Sequence, residues 1–167
     1  KTIELLFPGG VTASLSMARV EKYAKPAAKP KVQPATIHED LRGRDFTINA
    51  IALSLNKASL GLLLDPTNGQ ADLERKELRI ASNYTLYDDP SRVLRMLRFK
   101  VRMGLTLDER TSSQYQNVRE AGLVDSIEQP TLRHELQQMA QEPNPGELLA
   151  TLEREGLLKL FSEHLTG

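Results

Sequence analysis

Apolar positions change their rhythm near the middle of the chain. Before residue 86 they come in short runs broken by Gly and Pro; from Asp89 onward they recur at helical spacing. Ile3 to Phe7 reads as a strand, Pro8-Gly9-Gly10 as a turn, and Val11 to Arg19 as the returning strand of a hairpin. Lys25 to Pro34, with Pro26, Pro30, Pro34 and three lysines, predicts an extended, mobile, basic loop. A helix is expected from Asp45 to about Leu55, with Phe46, Ile51 and Leu55 on its apolar side. Leu60 to Leu64 fits a short buried strand, Asp65 to Gly69 a turn, and Glu77 to Ile80 a further short strand.

The second half predicts four helices. Asp89-Pro90 supplies a cap and a first-turn proline for one that runs to Met103 and stops at Gly104. Others cover Glu109 to Glu120, Leu132 to Gln141, and Glu147 to Glu155 with an acidic, amphipathic continuation to Glu163. The fold class is therefore α+β: a mixed unit over residues 1–86 and an all-α unit over 87–167.

The first of these helices carries the densest chemistry. Val93, Leu94, Leu97 and Val101 fall within an arc of about 100° and can bury. Arg92, Arg95, Arg98 and Arg102 fall on a neighbouring arc of about 120°. No acid lies between residues 92 and 102. Such a stripe is mildly self-repelling, and bidentate phosphate contacts would reverse the sign. Asp89 and Arg92, three residues apart, offer an acceptor and a planar donor fork suited to a nucleobase edge. Their plainer uses are an N-cap for Asp89 and an ion pair with Asp88 or Asp89 for Arg92.

Charge sharpens this picture. The 167 residues balance 22 Lys/Arg against 22 Asp/Glu, but unevenly. Residues 75–119 hold ten bases and five acids; residues 120–167 hold three bases and nine acids. A basic middle suits a polyanion site in one region only. Cysteine is absent, which excludes disulfides and thiolate-held zinc. No apolar run approaches the length of a membrane span and no leader segment is visible, so the expectation is a cytoplasmic chain with no membrane partner. His38, His134 and His164 are scattered and form no metal-ligand spacing, and no Gly-x-Ser-x-Gly elbow supports a serine nucleophile. Tyr23, Tyr84, Tyr87 and Phe99 could stack on bases, although packing is their plainer use.

Four segments, in order, carry a resemblance. Asp40-Leu-Arg-Gly-Arg-Asp-Phe-Thr-Ile-Asn-Ala50, Leu64-Asp-Pro-Thr-Asn-Gly-Gln-Ala-Asp-Leu73, Asp88-Asp-Pro-Ser-Arg92 with Arg95 and Arg98, and Leu132-Arg-His-Glu-Leu136 resemble the motifs of the bacterial-type (class II) tRNA nucleotidyltransferase and poly(A) polymerase family. Arg19-Val-Glu-Lys-Tyr23 resembles the stretch that leaves that family's catalytic strands. The resemblance implies a partial palm-like nucleotidyltransferase head followed by a helical neck. It implies template-independent addition of A or CCA to tRNA or other RNA 3′ ends, with ATP or CTP as substrates. Asp89 and Arg92 would then meet the base, Arg95 and Arg98 the phosphates, and Arg44, Asp45 and Asn49 the ribose side of the pocket.

The resemblance also implies Mg²⁺ held by carboxylates, beginning with an Asp-x-Asp after a Gly-rich turn. No acid follows Gly9-Gly10 until Glu21, and Asp72-x-Glu74 lies inside a later motif. Ser14 stands where the family has a further carboxylate, and Gly43 where it has an arginine. The chain begins with Lys1. The expectation is a head–neck piece of a larger, diverged protein that supplies nucleotide recognition but no catalytic or metal-binding residues, and that transfers no nucleotide by itself. The alternative is a non-catalytic RNA- or nucleotide-binding module of the same descent.

Overall fold

A computed structural model describes residues 2–162. His164 and Glu163 lie outside that range. Strands β1 (Thr2–Leu6) and β2 (Thr12–Ser16) form an antiparallel hairpin with Ile3 opposite Leu15 and Leu5 opposite Ala13. Alternation sorts its side chains: Ile3, Leu5, Ala13 and Leu15 share one face, while Glu4, Ser14 and Ser16 lie on the other. β3 (Arg19–Lys22) pairs with β4 (Lys31–Pro34), so the Lys/Pro segment is only half loop. Its last four residues extend because β3 offers them a ladder, with Pro34 at the strand end where a missing N–H is tolerated.

The helix expected from Asp45 to Leu55 does not form. The helix here is α1 (Ile37–Arg42), started by a reciprocal Thr36–Glu39 capping box. A single 3₁₀ turn over Thr47–Asn49 follows, then β5 (Ala52–Leu53), which pairs with β6 (Leu63–Leu64). The helix loses to longer-range pairing. Thr47 N–H donates to Arg79 O at 2.9 Å, Ala81 N–H donates to Asp45 O at 3.0 Å, and Phe46 bridges to Ile80. Those backbone groups are then unavailable for an i→i−4 ladder. The Leu60–Leu64 run is likewise not buried: Leu60, Leu62 and Leu63 are exposed.

The Asp65–Gly69 turn starts a helix that the sequence reading passed over, α2 (Gly69–Glu74). Asp65 accepts from the N–H groups of Gly69 and Gln70 at 2.8 and 2.9 Å, which is what an acid at a helix start does. Asp72 within α2 is fully buried. It accepts from Thr47 Oγ1 at 2.6 Å and pairs with Arg75 and Arg79 at 2.5 and 2.7 Å. It is therefore an anchor for the Thr47 turn.

β7 (Glu77–Leu78) leads through a short helix α3 (Thr85–Asp88) into α4 (Arg92–Met103). The cap of α4 is displaced from the expected Asp89. Ser91 takes the N-cap position, and Asp89 Oδ1 accepts from Ser91 N–H at 3.0 Å and Ser91 Oγ at 2.6 Å. Gly104, with φ +61°, ends the helix as expected. β8 (Thr106–Leu107) pairs in parallel with β7. Then follow α5 (Glu109–Glu120), capped by Asp108, α6 (Gln129–Ala140) and α7 (Pro145–Arg154). Val93, Leu94, Met96 and Leu97 of α4 are fully buried. They join Phe46, Leu78 and Ile80 from the mixed half and Val118, Leu148 and Leu152 from the helical half in one apolar core. This core rotates α4 so that its arginine face looks toward α1 and α6.

Candidate functional site

A cavity of about 500 Å³ opens beside that arginine face. β3 contributes Arg19 and Glu21, and α1 with the loop after it contributes Asp40, Gly43, Arg44, Asp45 and Asn49. Asp89, just before α4, and Arg92, Arg95, Arg98 and Phe99 on it line a third side, and His134, Glu135 and Gln138 line it from α6. All seven residues singled out in the sequence — Arg44, Asp45, Asn49, Asp89, Arg92, Arg95 and Arg98 — thus share one cavity. The volume lies within the range of small-molecule sites.

Each arginine is held by an acid: Arg44 by a local one, Arg95 and Arg98 by acids from distant parts of the chain. Arg44 lies 2.5 Å from Asp40, whose other oxygen accepts from Arg19 N–H. Arg95 donates to Asp45 at 2.9 Å and to Glu135 at 3.2 Å. Arg98 donates to Glu142 at 3.1 Å, with its guanidinium 5.0 Å from the centre of the Phe99 ring. Arg102 is half-exposed and lies 3.6 Å from Glu142. The stripe is therefore not an unbalanced row of cations, as its sequence implied. The acid-free window ends at the helix, and the counter-charges arrive from Asp45, Glu135 and Glu142.

Arg92 is mostly buried at the start of α4. It donates to Thr85 O at 3.3 Å and lies 3.6 Å from Asp89 Oδ2 and 3.8 Å from Glu21. Tyr23 Oη donates to Glu21 at 2.9 Å, so the residue that follows β3 braces the acid that faces Arg92. Burial raises the pKa of the Tyr23 hydroxyl, keeping it a donor at neutral pH. Phe99 meets Phe46 edge to face at 5.9 Å, and its ring serves packing as well as the cavity wall.

Asp45 is the most tightly tied carboxylate on this wall. Burial pushes its pKa up, but hydrogen bonds from Asn49, Arg95 and Phe46 N–H, with the Arg95 charge, more than offset that, and the net value is low. A lowered folded pKa contributes stability above the unfolded value of about 3.9, lost as pH falls through the folded value. Denaturant unfolding should therefore find Asp45→Asn less stable than wild type at neutral pH. The gap should close on acidification below that range. A gap constant across pH would refute the ionic tie.

Sequence reasoning did not assign roles to Glu21, Asp40, His134, Glu135 or Gln138. Glu21 and Glu135 nonetheless sit inside segments quoted for the resemblance, and the residue pattern gave no hint that they meet arginines.

Residues 1–79 match the family model of the poly(A) polymerase head domain. The chain is 32% identical to the A-adding tRNA nucleotidyltransferase of Geobacter sulfurreducens over 98% of its own length. It is 38% identical to the CC-adding tRNA nucleotidyltransferase of Deinococcus radiodurans over 89%. The chain belongs to the tRNA nucleotidyltransferase and poly(A) polymerase family. It spans 19% and 39% of the length of those two relatives. Among family structures, a CCA-adding enzyme in an apo form superposes with a TM-score of 0.86 at 34% identity, over 95% of this chain and 38% of that one. A tRNA nucleotidyltransferase complexed with a primer tRNA and an incoming ATP analogue gives 0.82 at 30% identity, over 97% and 44%. The likeness thus runs through the helical half as well as the head.

The Mg²⁺ that the resemblance implies meets no matching donors among the described residues. Among the described residues no group of three or more His, Cys, Asp or Glu side chains could hold a metal ion. Asp72 is occupied by Arg75 and Arg79, and Ser14 faces Glu4 across the first hairpin. No step is assigned to a metal on this chain. Among the described residues, no helix is long and apolar enough to cross a membrane.

Proposed function

We propose that this chain is the nucleotide-recognition part of a template-independent RNA nucleotidyltransferase that extends tRNA 3′ ends in the cytoplasm. In this reading residues 1–86 are head and 87–167 are neck. The observation that supports it most is the convergence of Asp89–Arg92 with Arg95, Arg98 and the Arg44–Asp45–Asn49 loop on one cavity. Five arginines and five carboxylates line it, so a bound anion would meet guanidiniums already oriented by their acids rather than a strong net field. Asp89 Oδ2 and the Arg92 fork supply an acceptor and donors for a base edge. Arg95 and Arg98, one and two turns along α4, supply donors for phosphates. Family structures with ATP and with CTP, each superposing on 95% of this chain, support these two as ligands.

Calorimetric titration tests it. ATP should bind the isolated chain, and Asp89→Ala should weaken ATP about tenfold, the equivalent of a charge-assisted hydrogen bond. Inorganic tripolyphosphate, which lacks a base, should bind wild type and Asp89→Ala alike. Unchanged ATP affinity in Asp89→Ala would overturn the base-recognition role. Incubation with tRNA, labelled ATP and Mg²⁺ should give no incorporation.

A further inference from the structure

One carboxylate in the cavity wall is out of place for a site that takes polyanions. Glu135, on α6, is 1% exposed, the most buried acid in the lining. Its Oε1 accepts from Arg95 Nη2 at 3.2 Å. Its Oε2 lies 3.7 Å from Arg98 Nη2, too far for a hydrogen bond, and has no hydrogen-bond partner. Arg98 Nε is the other buried polar side-chain atom, among the described residues, left without a partner. Buried polar atoms are normally satisfied, so an unsatisfied donor and acceptor in one cavity wall call for a physical account.

We infer that Glu135 is a positioning residue: it sits between Arg95 and Arg98 and fixes both guanidiniums in the orientation in which they line the cavity. This rests on the nucleotide reading above. Two arginines three residues apart on one helix repel, and each has a long, rotamer-rich side chain. A buried carboxylate from the neighbouring helix removes the repulsion and restricts both. Arg95 is additionally held by Asp45 and Arg98 by Glu142, so each guanidinium is gripped from two sides. Glu155 is the natural comparison: it pairs with Arg119 at 3.0 Å and accepts from Tyr115 Oη at 2.7 Å, and it does not line the cavity.

The sign of one mutation separates positioning from mere charge. Neutralising an acid in the wall of an anion site raises anion affinity if charge is all that matters. If Glu135 positions, Glu135→Gln weakens binding although it adds net positive charge. ATP titration into the full chain should show Glu135→Gln about tenfold weaker than wild type. Glu155→Gln, which loosens the Arg119–Tyr115 tie away from the cavity, should lower the melting temperature but change ATP affinity less than twofold. In ¹⁵N spectra the Arg95 and Arg98 Nε–H resonances, sharp in wild type, should broaden in Glu135→Gln. Equal or tighter ATP binding with sharp resonances would overturn the proposal. If wild type binds neither ATP nor tripolyphosphate, the nucleotide reading fails, and the arginine resonances alone decide the role of Glu135. If Glu135→Gln does not fold, Glu135→Asp replaces it: its carboxylate, one methylene short, should weaken ATP and broaden both resonances, and wild-type behaviour would overturn the proposal.

Discussion

Gly69→Ala should lower the unfolding free energy by about 3–4 kcal/mol, at the upper end of overpacking effects. A Cβ at this position would stand 2.1 Å from Thr47 O, 2.7 Å from Thr47 C and 3.2 Å from Ile48 N. These are backbone atoms, so no side chain can rotate away. Neither side can retreat cheaply. Gly69 N–H is held by Asp65, and Thr47 is held by Arg79 O and by the buried carboxylate of Asp72. Relief would have to come from moving α2 off the Thr47–Asn49 turn. That turn carries Asn49 and adjoins Asp45, so ATP affinity should fall along with stability. Gly146→Ala is the control. Nothing lies within 4 Å of its added Cβ inside α7, and alanine there should stabilise by about 0.5–1 kcal/mol. Urea unfolding of both variants checks this, and a wild-type midpoint for Gly69→Ala would refute the close approach.

That close approach explains where the sequence was legible. α4 and α5 stand where local signals put them, because periodicity, Gly104 and the Asp108 cap all act within a few residues. The expected helix over Asp45–Leu55 fails because the structure there is decided at a distance, whereas the strands near Leu64 and Glu77 form as expected. Ile48, Ile51 and Leu55 have helical spacing, yet Thr47 pairs with Arg79 and Phe46 with Ile80. The same division holds at the cavity. The arginines on α4 were visible as a stripe, and their family motifs marked Arg44, Asp45 and Asn49. Their partners were not visible: Asp45 lies 50 residues from Arg95, Glu135 40 residues from Arg95, and Glu142 44 residues from Arg98. An ion pair across such separations leaves no pattern in a local window. Glu21 and Glu135 were quoted as letters of motifs, and only packing gave them a task.

Replacing Arg95 by alanine should therefore damage the molecule in two separable ways. Its guanidinium links Asp45 on the head side to Glu135 on α6. Both acids are at least nine-tenths buried, and breaking a buried pair by removing one partner costs about 3–5 kcal/mol. Arg95 itself is one-third exposed and Glu135 keeps Arg98 at 3.7 Å, which argues for the lower end of that range. The deficit should be largest at neutral pH. The Arg95 charge and hydrogen bond are among the forces that depress the Asp45 pKa, and the stability they confer is present above the ordinary carboxylate range. As pH falls through the depressed value, wild type loses that contribution and the variant has none to lose, so the two stability curves converge. Binding supplies the second readout. Arg95→Ala should weaken ATP and tripolyphosphate together, unlike Asp89→Ala, because in the proposed site the lost donor serves phosphate and not base. Arg95→Lys keeps the charge but lacks the planar fork that reaches two carboxylates at once, so it should recover part of the tripolyphosphate affinity and little of the stability. Full recovery of both by lysine would mean that charge alone, and not the bridge from Asp45 to Glu135, sets this wall of the cavity.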